Sequence, residues 1–170
     1  VRGINLIFGR TQYYLYNAHG DVVQLTNING ELTRTYNYDA FGNMIRQTSY
    51  ASDGTITYDS VRALTYDENG NLTHALEFID GVLFGESVFA ISPDGEIIPV
   101  TEHAWYDDGT WAQNEYDEYG NCIRAVSCAA DDSILSEIIS EYKRGDWGWF
   151  YESKRTTYMD DAVFMHEYNE

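Results

Sequence analysis

A chain of 170 residues with 44% hydrophobic and 15% aromatic composition is long and apolar enough for one folded domain with a core, which excludes a disordered tail. Its 10 Lys and Arg against 28 Asp and Glu give a net charge of −18, which excludes nucleic acid and anionic membranes as partners because each phosphate contact needs a cation. No apolar run approaches the roughly 18 residues of a membrane-spanning helix, and Val1 opens without an initiator Met or signal-peptide pattern, so the chain reads as a fragment or a mature form.

In chain order, turn glycines fall at Gly20 and Gly30, then within Tyr38-Asp39-Ala40-Phe41-Gly42-Asn43 and Ser52-Asp53-Gly54-Thr55. They continue through Tyr66-Asp67-Glu68-Asn69-Gly70-Asn71, Ile79-Asp80-Gly81-Val82, Gly95, Gly109 and Tyr116-Asp117-Glu118-Tyr119-Gly120-Asn121. Asn-Gly and Asp-Gly supply the positive φ of tight hairpin turns, so the spacing predicts short antiparallel strands, about ten to twelve in number. Thr33, Thr35, Tyr36, Ile56, Thr57 and Tyr58 between the turns are β-branched or aromatic, which suits a pleated surface. Leu72, Leu76 and Phe78, and likewise Cys122, Val126 and Cys128, alternate onto one face, with Thr73, Glu77 and Ser127 on the other. Cys122 and Cys128 then lie about 20 Å apart on one strand at roughly 3.3 Å per residue, too far for a disulfide.

Two segments are less regular. Ile134, Leu135, Ile138 and Ile139 fit a helical period after an Asp132 or Ser133 cap, but the matching place one repeat earlier carries the strand-like Val82, Phe84, Val88 and Phe89, which favours strand over 131–142. Residues 143–170 leave the repeat and read as a divergent aromatic cap over an open sheet edge. The expected fold is all-β: a single domain over 1–170, in which an antiparallel β-hairpin meander forms a curved, twisted sheet.

Tyr-Asp-x-x-Gly-Asn occurs three times, and a second type of turn follows each copy, lacking its glycine in Asp131-Asp132-Ser133. With Tyr14-Leu15-Tyr16-Asn17-Ala18-His19-Gly20-Asp21-Val22-Val23-Gln24-Leu25-Thr26 before the first copy, residues 10–45 closely resemble the repeat-associated core of the Rhs or YD-repeat family. A looser resemblance covers 46–142. It implies a bacterial, secreted or surface-associated, toxin-associated polypeptide whose repeats coil a β-sheet into a shell, and hence a structural or encapsulating role. The family's core continues into an Asp-Pro self-cleavage motif; nothing like it follows Asn43, so self-proteolysis is not implied.

The residues expected to build the repeat turns are Tyr38, Asp39, Gly42, Asn43, Tyr66, Asp67, Gly70, Asn71, Tyr116, Asp117, Gly120 and Asn121. Their carboxylates accept from their own turn backbones and their tyrosines stack as a ladder between neighbouring hairpins. The spacing lacks the acidic ladder and distal Glu of a calcium loop, the four scattered histidines and unpaired cysteines lack zinc spacing, and no nucleophile elbow or phosphate loop occurs. No catalytic, metal or cofactor site is expected, and the chain is read as a non-enzyme.

Arg46, His74 and Arg124 each stand four residues after a turn glycine, either to meet carboxylates on adjacent strands or to form a positive stripe. Trp105, Tyr106, Trp111, Trp147, Trp149 and Tyr151 are either core residues or a candidate ligand platform for sugar rings. The expected partners are neighbouring repeats of a larger polypeptide or another protein, with carbohydrate, an immunity-type contact of the acidic face, and an edge-strand homo-oligomer as alternatives, and with no membrane insertion.

Overall fold

The computed structural model describes residues 2–7, 10–145, 150–159 and 162–168. Among them are fourteen strands, more than the number expected. By contact the chain forms two compact units, Val1–Ala63 with Glu77–Leu83 and Leu64–Leu76 with Phe84–Glu170. The boundary passes through three strands.

The first unit is built on β1 (Arg2–Ile7), β2 (Arg10–Tyr16), β3 (Val22–Thr26), β4 (Leu32–Tyr38), β5 (Met44–Tyr50) and most of β6 (Ile56–Tyr66). β7 (Leu72–Ile79) straddles the boundary, and the second unit carries most of β8 (Val82–Ile91), with β9 (Ile97–Trp105), β10 (Trp111–Tyr116), β11 (Cys122–Cys128), β12 (Ile134–Arg144), β13 (Phe150–Met159) and β14 (Ala162–Glu167). Strand order is chain order, so the topology is an antiparallel hairpin meander.

Residues 134–144 are strand despite their helical spacing, because pairing of Ile138 and Ile139 with Ala125 and Arg124 on one side and Thr157 and Thr156 on the other satisfies both backbone edges. The segment read as an aromatic cap contributes β13 and β14, which add to β12 in the same antiparallel order.

All nine glycines read as turn residues have positive φ, between 82° and 93°. Nine described turns share one closure: the first loop residue donates its N–H to the carbonyl four residues on, and the fourth donates back to the first, as Asp39 N to Asn43 O at 2.9 Å and Gly42 N to Asp39 O at 3.2 Å. This is a type I turn followed by a left-handed residue, and beside it the strand register shifts by one residue, as between Asn37 and Tyr38, where Ile45 is passed over. The alternation of turn types expected from sequence is corrected here. The Ala51–Thr55 and Ala129–Ser133 turns close in the same way as the Tyr-Asp turns, with Asp132 (φ 65°) in the glycine's place. The Asp80-Gly81 link is a two-residue turn with both φ positive, 51° and 84°.

The apolar core is smaller than composition suggests. Leu25 is the buried apolar residue of the first unit, and Val126 and Cys128 those of the second, among the described residues. Elsewhere side chains are covered laterally by cross-strand neighbours, and small hydroxyls fill the closest spaces: Thr48 donates to Asp59 at 2.8 Å and Ser60 to Glu77 at 2.8 Å.

Candidate functional site

The three Tyr-Asp turns have one architecture. Asp67 Oδ1 accepts from the N–H groups of Asn69 and Asn71, both at 2.8 Å, while Oδ2 accepts from Asn71 Nδ2 at 2.9 Å. Asp117 holds Tyr119, Asn121 and the Asn121 amide in the same way, and Asp39 Oδ1 takes Phe41 N and Asn43 N at 2.9 Å. The Asn71 amide and the turn N–H groups hold the Asp67 carboxyl below its ordinary range. Gly42, Gly70 and Gly120 follow in the left-handed region, where a Cβ would crowd the carbonyl. The carboxylates are thus turned onto their own loops.

Tyr38 and Tyr116 reach across strands through their hydroxyls. The Tyr38 hydroxyl donates to Val22 O at 2.9 Å, and the Tyr116 hydroxyl donates to Glu102, which with burial pushes that phenol well up. Both hydroxyls bond polar atoms of the preceding strand.

Sequence reasoning missed that the same turn occurs with other caps. Asn17, Asn27 and Ser92 stand where Asp39 stands, each accepting from the N–H four residues on. A second device caps from the third loop position: Asp53, Asp108 and Asp131 each accept from the N–H and hydroxyl of Thr55, Thr110 and Ser133. The available signal was Asp-x-Thr/Ser.

The basic column meets carboxylates on neighbouring strands, the first of its two readings. Arg46 binds Asp59 through Nε at 2.9 Å and Nη2 at 2.8 Å, drawing that carboxyl below its usual range. His74 Nε2 lies 2.7 Å from Glu86 Oε1, and Arg124 bridges Glu115 at 2.7 Å and Glu137 at 2.6 Å.

Of the aromatic candidates, Trp105, Tyr106, Trp111 and Tyr151 lie among the described residues. Trp105 and Trp111 are cross-strand partners, and the His103 ring stacks on Trp105 at 4.1 Å and lies tilted 4.9 Å from Trp111. Trp111 Nε1 donates to Asp132 at 3.0 Å. Tyr106 packs edge-on against Phe84, at 6.1 Å, and Tyr151 pairs with Lys143 across β12 and β13. Trp147 and Trp149 lie outside the described residues. His103, one of the four scattered histidines, has a buried Nε2 with no hydrogen-bond partner, and burial lowers its pKa against the pull of Glu86.

Residues 16–56 match the RHS Repeat family. Comparison with curated proteins finds no match. Among solved structures, the crystal structures of TcdB2-TccC3-TEV and TcdB2-TccC3 align with 93% of this chain at 12% identity, with TM-scores of 0.41 and 0.43, and the chain spans 10% of the length of each.

Proposed function

We propose, from the RHS repeat at residues 16–56, that this chain is a non-catalytic structural segment of a larger, secreted or surface-exposed, toxin-associated bacterial polypeptide, with its hairpins forming part of an encapsulating β-wall. The observation that carries the reading is the recurrence of one turn closure at nine described links, whatever the strand sequences between them. Such a device propagates a sheet by addition of hairpins, each stabilised chiefly by its neighbours. The turn carboxylates are engaged in holding backbone, and the basic column is engaged by carboxylates, which supports a structural rather than a chemical use of these groups. Trp105 and Trp111 are engaged with His103 and Asp132, so the same economy applies to the rings.

The test is the coding frame around this segment. Further Tyr-Asp-x-x-Gly-Asn hairpins in continuous frame are the expected result. A free-standing frame with its own export signal and no further repeats would overturn the reading.

A further inference from the structure

One ladder of the first unit stops short. β3 and β4 register Thr26 with Leu32, Leu25 with Arg34 and Gln24 with Thr35, and no further, although β3 begins at Val22 and β4 runs on to Tyr38. Both strands stay held on their outer sides, β3 by Tyr16 with Val22 and β4 by Tyr38 with Met44. The inner pair therefore forks, and the Tyr38 hydroxyl spans the fork to Val22 O.

A cleft of about 820 Å³ opens there, flanked by the turns Asn17–Asp21 and Asp39–Asn43. Its walls include Val23 on one strand and Tyr36 on the other, positions without a ladder partner on the facing strand. Asp21, whose Oδ2 also accepts from Asn17 Nδ2 at 2.9 Å, and Asp39, whose Oδ1 braces its own turn, contribute carboxylates, His19 is the sole basic residue of the lining, and Phe41, 63% exposed, stands at the rim. Burial, with Asp21 nearby, raises the Tyr38 pKa and keeps that phenol a neutral donor.

Forked strands offer N–H and C=O groups at strand spacing, the requirement for adding an extended chain. Carboxylates beside an exposed aromatic ring, on a chain of net charge −18, select a guanidinium or ammonium over an anion. We propose that the β3–β4 fork binds an extended basic peptide, its backbone along Val23 and Tyr36 and its cationic side chains at Asp21 and over the Phe41 ring.

The test titrates a fluorescein-labelled peptide of alternating Arg and Thr into the full chain, with an alternating Glu and Thr peptide and maltoheptaose as comparisons, and follows backbone amide shifts. Binding of the Arg peptide that moves Val23 and Tyr36 is expected, with Asp21→Asn and Phe41→Ala each weakening it about tenfold. Asp53→Asn, which removes the same charge from a turn elsewhere, should leave it unchanged. No binding, an equal loss in Asp53→Asn, or shifts at these amides with maltoheptaose instead of the peptide would overturn the proposal. Should Asp21→Asn disturb its turn, as circular dichroism would reveal, the exposed Phe41→Ala decides.

Discussion

Gly109 and Gly20 are both left-handed, yet a side chain would meet different surroundings at each. A Cβ on Gly109 (φ 82°) would lie 2.9 Å from the Ala130 Cβ, whereas one on Gly20 (φ 93°) meets nothing within 4 Å. Gly20→Ala should therefore cost only the backbone term, about 1 kcal/mol, and Gly109→Ala that term plus a clash, above about 2 kcal/mol. Urea unfolding of the two variants checks this, and equal losses would contradict it. These positions were legible in the sequence because few residues other than glycine accept that φ. The slot of His103 was not, since it depends on which residues face each other across β9 and β10. The turn carboxylates add a pH dependence: hydrogen bonds from Thr55, Asn71, Thr110 and Ser133 lower the pKa values of Asp53, Asp67, Asp108 and Asp131. A carboxyl whose pKa is lowered on folding contributes stability above its unfolded value, about 3.9, and loses it as pH falls through the folded value. The urea midpoint should thus hold at neutral and mildly acid pH and decline below about pH 4, less steeply in Asp67→Asn. A midpoint that rises as pH falls below about 4 would contradict the assignment.

Between strands, two kinds of cross-strand contact should separate by salt. Arg124 is over a third exposed and shared between Glu115 and Glu137, so Arg124→Ala should cost no more than about 1 kcal/mol and less in high salt. Val126, 7% exposed between Gln113 and Glu137, should cost roughly 2 kcal/mol as Val126→Ala, with little salt dependence. Denaturation in low and high salt measures both, and a larger, salt-insensitive loss at Arg124 would reverse the ranking. At this scale the sequence revealed which segments are strands and which residues, such as Arg46 and Arg124, seek partners. Periodicity over 134–139 pointed two ways, and pairing to both neighbours decided it. The strands β13 and β14 lay in a segment without the repeat motif, so no turn signature announced them. The β3–β4 fork was illegible for the same reason as the His103 slot, because register is a property of two strands.

Across the molecule, stability rests on serial neighbour contacts more than on a central core, as the few buried apolar residues indicate. An array of this kind should accept a further hairpin provided strand direction is kept. Residues 111–133 comprise β10, its turn, β11 and the following turn, so a second copy inserted after Ser133 adds two strands and leaves β12 running as before. The decisive measurement is urea unfolding of that duplicated chain beside the original. The expected result is a soluble, cooperatively unfolding protein whose stability is kept or raised and whose m value increases with the added buried surface. A duplicated chain that loses β circular dichroism and cooperative unfolding would contradict the hairpin array itself.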